Sequence, residues 1–408
     1  MNVSLCIHRG ADTIGGNCIE VTASTGERII LDLGLPLDAE NNEPALLPNV
    51  CGLTKHTPDL LALIISHPHM DHYALGKHID PAIPVYMGAA ANRIMQASVS
   101  FGLPGAFQFQ NVREMEGFKT FQLGVFKITP YPVDHAAYDS FALLIETGNK
   151  RIFYTGDFRA HGRKGKTFEH LITHPPHKVD ILLMEGSALG RLDPEENFES
   201  ESALEEQFLK VFTEARGLAL VHSSSQNIDR IVSIYRAAKK SGRTVVMTGY
   251  TGCILMMLEN PNIPNFTRRW NVKKIVPEPT GKRHEITADQ IADAPGKYVY
   301  VVGGQGIPLL EKAGLLTPEA HYVYSMWAGY KKKTSTEKVI SQMVAAGVQM
   351  SDIHTSGHAD VPTLRKFVEA IKPARLVPIH TFNPEQFEEL FGQYATVEQR
   401  GNNEVFEV

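Results

Sequence analysis

The sequence predicts a soluble α/β protein of two domains, on three observations. Its 408 residues are 43% hydrophobic, enough for a sizeable core but without an apolar run long enough to cross a bilayer. Short apolar runs alternate with glycine-rich turns over roughly the first 160 residues, the pattern of a strand-rich region. Beyond them, apolar residues recur at helical spacing between further short runs, the pattern of alternating helices and strands.

In chain order, NCIEVTA, RIILDLG, LLALIIS, IPVYM, FKITPYPV, FALLIET and RIFYTGD each read as a strand of about five to seven residues. Several are enriched in Val, Ile and Tyr, which suit a pleated surface. ESALEEQFLKVFTEA and NIDRIVSIYRAAKKSG read as helices, interleaved with the strands LALVHS, TVVMT and KYVYVVG. VPTLRKFVEAIKP and ARLVPIH follow as a helix and a strand. The proline-rich stretch from Pro261 to Pro279 reads as irregular connection, and no repeat or low-complexity segment stands out. MNVSLCIHRGADTIGG has no basic region followed by an apolar stretch, so no secretory leader is expected. Cys6, Cys18, Cys51 and Cys253 are scattered without CxxC spacing and read as reduced, structural thiols of a cytoplasmic protein.

The formal net charge of −5 does not by itself point to a nucleic-acid partner. Its distribution is more informative. Between Lys210 and Ile340 there are about 19 Lys and Arg against about 10 Asp and Glu, leaving roughly −14 for the remainder. Several of the basic residues are clustered, as at Lys239 and Lys240, Arg268 and Arg269, and Lys331 to Lys333. Solvated surface charge is the plain alternative reading.

The chemistry concentrates in LIISHPHMDH, Leu63 to His72. In an extended segment residues i and i+2 point the same way, so His67 and His69 can aim two ring nitrogens at one point. Asp71 and His72 begin the next turn and can face a second point. Imidazoles and a carboxylate this dense compete unless something cationic organises them. His135 in YPVDHAAYDS, Asp157 in IFYTGDFRAHG and His380 in ARLVPIHTF each sit at the end of an apolar strand. Together they complete two coordination shells.

With these residues the chain resembles the metallo-β-lactamase superfamily, in which HxHxDH, a later His, a later Asp and a last His bind two metal ions between packed sheets. The resemblance assigns His67, His69 and His135 to one ion, Asp71, His72 and His380 to the other, and Asp157 to a bridge. It makes Asp32 in RIILDLGLP a supporting residue that hydrogen-bonds the histidine loop. Glu185 in LLMEGSALGR and His358 in HTSGHADVPTLRKF narrow the likeness to the β-CASP branch and its RNase J-like nucleases. There the fold is an αββα sandwich with an inserted α/β cap, which implies a core of residues 1–198 and 349–408 and a cap of residues 199–348. VVGGQGIPLLEKAG also resembles a cap segment of this group. The resemblance has departures: Thr381 and Phe382 stand where many relatives have Gly-Glu, and the long C-terminal domain of bacterial RNase J has no counterpart after His380.

The function so implied is hydrolysis of phosphodiester bonds in single-stranded RNA by a hydroxide activated between two divalent ions, Zn²⁺ or Mn²⁺. Endonuclease and 5′ exonuclease action both stay open. Asp71, Glu185 and His358 are the candidate catalytic residues, with His358 contacting the scissile phosphate and Glu185 orienting it. The plain alternatives are a helix-capping histidine for His358 and an N-cap or surface carboxylate for Glu185. A histidine at the last motif, His380, accompanies RNA rather than DNA within the group. A basic cap facing an acidic core would hold a single strand. Ser223, Ser224, Ser225 and Arg230 are candidate phosphate contacts at a helix start, where Ser is also a common N-cap. Tyr324, Trp327 and Tyr330 read either as base-stacking or as cap-core residues. No membrane partner is expected, and a homodimer is an expectation from the family. The alternatives are a hydrolase of the same fold acting on DNA or a small ester or thioester, and a non-catalytic nucleic-acid-binding scaffold.

Overall fold

The computed structural model describes residues 2–302 and 306–408. It divides into two compact units, residues 1–198 with 357–408, and residues 199–356.

The first unit contains two seven-stranded sheets. One runs in the order Val405–Glu407, Ser4–Arg9, Cys18–Thr22, Arg28–Leu31, Leu60–Ile64, Val85–Gly88, Val112–Met115. The other runs Thr396–Val397, Arg375–Ile379, Ile181–Glu185, Lys150–Tyr154, Phe141–Thr147, Phe126–Pro132, Phe121–Leu123. Because successive side chains of a strand point to opposite faces, each fully apolar strand serves two cores. Ile29 and Leu31 join Leu143, Ile145, Ile152, Leu183 and Ile379 between the sheets. Ile30, Leu63 and Met87 turn the other way, onto Ala91 and Met95 of helix Ala89–Ser100. Leu144, Phe153 and Leu182 likewise meet Phe168, Leu364 and Phe367, which come from helices Gly165–Thr173 and Val361–Ile371. The result is four layers, helix, sheet, sheet, helix, and it explains why these strands read as continuous apolar runs rather than alternating ones.

The architecture gathers strand ends. Lys150–Tyr154, Ile181–Glu185 and Arg375–Ile379 are parallel neighbours, as are Arg28–Leu31 and Leu60–Ile64, so the residues that follow each set emerge on one edge. The sheets are linked at that edge by the Phe141 amide, which donates to the Ser66 carbonyl at 3.0 Å, and by the His380 amide, which donates to the Gly10 carbonyl at 2.7 Å.

The second unit is built on an all-parallel seven-stranded sheet, Glu285–Ile286, Val272–Ile275, Thr244–Met247, Tyr298–Val302, Ala219–His222, His321–Tyr324, Gln349–Asp352. Its last strand falls beyond the range 199–348 expected for the cap. Gln349–Asp352 pairs with His321–Tyr324, and this pairing keeps it in the second unit. Within VVGGQGIPLLEKAG, residues 303–305 lie outside the described residues.

Arg230 corrects the expectation of a phosphate contact. It is fully buried, with its guanidinium on the Glu201 carboxylate at 3.0 Å and on the Ser325 carbonyl at 3.0 Å, so it fastens helix Ile228–Lys240 inside the unit. The serines before it are also engaged locally. The Ser225 and Thr251 hydroxyls hydrogen-bond at 2.8 Å, the Ser224 hydroxyl accepts from the Gln226 amide, and the buried Ser223 hydroxyl reaches the Ser224 carbonyl. The helix N-cap is Asn227, whose side chain accepts from the Arg230 amide. Tyr324 is buried in the core of the unit, whereas Trp327 is exposed. Removing one partner of a buried ion pair leaves an uncompensated charge, so Arg230→Ala is expected to lower stability by about 3–5 kcal/mol, read as a lowered urea midpoint of the full chain.

Candidate metal centre

Asp32 directly follows strand Arg28–Leu31, in a left-handed backbone conformation with φ 57°. Its carboxylate is completely buried and accepts from the Ser66 amide at 2.7 Å, the Ser66 hydroxyl at 2.7 Å, His72 Nδ1 at 2.7 Å and the Tyr154 hydroxyl at 2.5 Å. Ser66 and His72 belong to the histidine loop, and Tyr154 comes from the opposite sheet. Next to it, Gly34 lies against the loop backbone. A Cβ there would be 1.6 Å from the Asp71 carbonyl oxygen, so only glycine permits this approach.

Past strand Leu60–Ile64 the chain bends over residues 66–68, against the extended segment expected for the histidine loop, and only His69, which caps the short helix Met70–Tyr73, is extended. This change of backbone separates the donors. His67, His69 and His135 offer one group of ligand atoms, and Asp71, His72, Asp157 and His380 a second; within each group these atoms lie within 4.8 Å of one another. In the first group His135 Nε2 is 3.0 Å from His69 Nδ1. In the second, Asp157 Oδ2 is 3.1 Å from His72 Nε2 and 3.6 Å from His380 Nε2. The same oxygen is 3.6 Å from His67 Nε2, which puts it beside both groups, the position a bridging carboxylate needs. Every metal-ligand candidate of the sequence is therefore in one of these two groups.

Outer hydrogen bonds decide which ring nitrogen faces inward. His72 Nδ1 donates to Asp32 and His135 Nδ1 to the Gly357 carbonyl at 2.6 Å, whereas His380 Nδ1 lies 2.9 Å from Asn17 Oδ1 and also accepts from the Gly15 amide at 3.4 Å. The Ser66 hydroxyl gives its proton to Asp32 and so accepts from His67 Nδ1 at 3.0 Å. His67, His72 and His135 thereby turn Nε2 inward, the orientation a metal ligand requires.

Burial pushes His67, His135 and His380 well below the usual histidine range, and neighbouring histidines add to the effect. His69 is pushed down to about 4, mainly by burial. Burial acts the same way on His72, but the Asp157, Asp32 and Asp71 carboxylates outweigh it and hold His72 well above that range. His67 Nε2, His72 Nε2, His380 Nε2 and both Asp157 oxygens are buried with no hydrogen-bond partner among the described residues. Buried polar atoms rarely go unsatisfied. Imidazoles and carboxylates converging on two points fit divalent cations, which would satisfy all five atoms.

Glu185 ends strand Ile181–Glu185 and is buried, so it is neither an N-cap nor a surface carboxylate. It accepts from the Phe158 amide at 3.0 Å, the Ser187 hydroxyl at 2.7 Å and His358 Nδ1, which is 3.1 Å from both of its oxygens. Burial raises its proton affinity, but His358 and these donors more than offset this and hold the carboxyl below its usual range. For His358 burial favours the neutral ring, and Glu185 and Asp157 outweigh it to raise its pKa. The cap of helix Val361–Ile371 is Asp360, not His358. Asp157, Glu185 and His358 also form a third close group of potential ligands.

Ser66, Tyr154, Asn17 and the Gly357 carbonyl support the donors but are not among the residues the sequence singled out. Tyr154 occupies a core-facing position of an apolar strand, and Asn17 and Gly357 lie far from their histidine partners along the chain. Only Ser66, adjacent to His67, had a positional signal.

Residues 27–223 match the Beta-lactamase superfamily domain and residues 343–390 match the Zn-dependent metallo-hydrolase RNA specificity domain. The first match makes residues 27–223 similar to the metallo-β-lactamase superfamily, and the pair of matches is consistent with its β-CASP, RNase J-like branch. It is 25% identical to Ribonuclease J of Thermus thermophilus over 91% of this chain and 67% of that protein. It is 23% identical to Ribonuclease J of Mycoplasma genitalium over 87% and 63%, and 24% identical to that of Sinorhizobium meliloti over 82% and 60%. The chain thus spans about three fifths of the length of these last two relatives. A crystal structure of a protein of unknown function from Enterococcus faecalis V583 has the same fold, with a TM-score of 0.82, 23% identity and full coverage of both chains.

Removing an outer hydrogen-bond partner of a metal ligand typically costs 10–100-fold in metal affinity. Asp32→Asn is expected to weaken Zn²⁺ binding by about that factor, measured by competition with a chromogenic chelator. Unchanged affinity would separate Asp32 from the metal centre.

Proposed function

We propose that this protein is a metal-dependent ribonuclease that hydrolyses phosphodiester bonds of single-stranded RNA at a dinuclear centre. The observation that carries the reading is the pairing of two buried donor groups with a third element beside them, the Glu185 and His358 pair, whose imidazole lies 3.7 Å from Asp157 Oδ2. The RNA specificity domain matched over residues 343–390 contains both His358 and His380, and the curated relatives are named Ribonuclease J. These support RNA as the substrate.

His67, His69 and His135 would hold one ion and Asp71, His72 and His380 the other, with Asp157 shared. Imidazole and carboxylate ligands suit Zn²⁺ and admit Mn²⁺. When bound, such a pair supplies a water of lowered pKa and neutralises charge on phosphoryl oxygens. The chain's own residues do the rest. Ser66, Asp32, Asn17 and the Gly357 carbonyl lock the imidazoles so that no reorientation is needed during reaction. Glu185 accepts from His358 Nδ1 and fixes the ring, and His358 contacts the scissile phosphate and serves the leaving oxygen as proton donor.

The test incubates the full chain with labelled single-stranded RNA, single-stranded DNA and a thioester, with and without chelator. RNA cleavage that stops on chelation is expected. RNA equally stable in both conditions, together with thioester turnover, would replace the reading with that of a small-ester hydrolase. His67→Ala and Asp157→Ala are expected to lose both cleavage and metal content. His358→Ala should keep its metal and slow the chemical step by about 10²–10⁴, and wild-type turnover by this variant would remove His358 from the mechanism.

A further inference from the structure

The second unit carries an aromatic and cationic surface that the metal centre does not use. Strand His321–Tyr324 ends in buried Tyr324, and Trp327 follows as the residue capping the short 3₁₀ turn Ala328–Lys332. The Trp327 carbonyl accepts from the Tyr324 hydroxyl at 3.1 Å and from the Tyr330 amide at 3.0 Å, so the backbone beneath the indole is held from two sides. The indole rests on Gly329, where a Cβ would come within 2.4 Å of its six-membered ring. Its neighbour is the Tyr330 ring, at 5.2 Å between centroids and 87° between planes. Despite these contacts Trp327 remains 39% exposed.

Three lysines follow it within six residues. Lys331 is paired with Asp352 at 2.7 Å, and Lys333 Nζ lies 4.4 Å from the Tyr330 ring centroid. Lys332 and Lys333 are exposed and have no carboxylate partner among the described residues. An immobilised, solvent-facing indole followed closely in the chain by exposed ammonium groups free of carboxylates combines the two elements that hold single strands, a face for bases and charge for phosphates. An acidic peptide would use the lysines but leave the indole without a flat partner.

We infer that Trp327, with Lys332 and Lys333, is a docking platform for a single-stranded nucleic acid, with one base stacked on the indole and adjacent phosphates on the lysines. The inference rests on the proposed nuclease function and adds a binding surface to it.

The chain has two tryptophans, so Trp270→Phe leaves Trp327 as the sole indole reporter. This protein, kept in chelator, is titrated with a uridine 15-mer, while a fluorescein-labelled copy reports affinity for the variants. Saturable quenching of Trp327 is expected. Trp327→Ala should weaken binding by about tenfold, the loss of one stacked base, and Trp327→Phe should recover part of it. Lys332→Gln with Lys333→Gln should reduce the slope of log affinity against log salt by about 1.4. Urea midpoints at the wild-type value establish that the variants are folded. The inference is overturned by absent quenching, by unchanged affinity in folded Trp327→Ala, or by equal quenching with polyglutamate. Failure of the nuclease reading is seen separately, as intact RNA after incubation of wild-type protein with Zn²⁺ or Mn²⁺.

Discussion

The metal centre depends on the burial of one carboxylate. Asp32 is completely removed from solvent, a state that is costly for a charge unless it is fully hydrogen-bonded. The Ser66 amide and hydroxyl, His72 Nδ1 and the Tyr154 hydroxyl meet that requirement. Each does so by giving up its freedom to point elsewhere. The Ser66 proton directs the hydroxyl oxygen to His67, His72 turns Nε2 inward, and Tyr154 draws the second sheet to the same point. A residue that ligates nothing thus sets the tautomer of one histidine directly and of another through a serine. Networks of this kind stabilise only when every member is satisfied.

The sandwich makes such a network possible because strands, unlike loops, deliver their ends to reproducible positions. Asp32, His67, Asp157, Glu185 and His380 all stand at or just beyond the carboxyl ends of strands in the first unit. The hydrogen bonds from Phe141 to Ser66 and from His380 to Gly10 tie the two sheets together at this edge. His380 and Asp32 both adopt positive φ, a strain found where the surroundings over-determine a conformation for function. The imidazole and carboxylate donors are thereby gathered into two groups, with the Glu185 and His358 pair directly adjacent.

Much of this was legible in the sequence, for reasons of period and position. NCIEVTA, RIILDLG, LLALIIS, IPVYM, FKITPYPV, FALLIET and RIFYTGD all contain strands, because continuous apolar runs bounded by turns have few other uses. The donors could be read because histidines and aspartates at strand ends are conspicuous. Their supports could not: Tyr154 looks like any inward strand residue, and Asn17 reaches His380 across almost the whole chain. Arg230 misled because a basic residue at a helix start looks exposed until its distant partners, Glu201 and Ser325, are known. The end of the second unit was missed because Gln349–Asp352 is short and largely exposed, with no apolar pattern to mark it as a strand.

The most direct test of the central claim is anomalous diffraction from crystals of the protein loaded with zinc, recorded on both sides of the absorption edge. Two peaks are expected, one enclosed by His67, His69 and His135 and the other by Asp71, His72 and His380, with the Asp157 carboxylate in contact with both. A single peak, or a peak held by Glu185 and His358 while the histidine groups bind nothing, would contradict it.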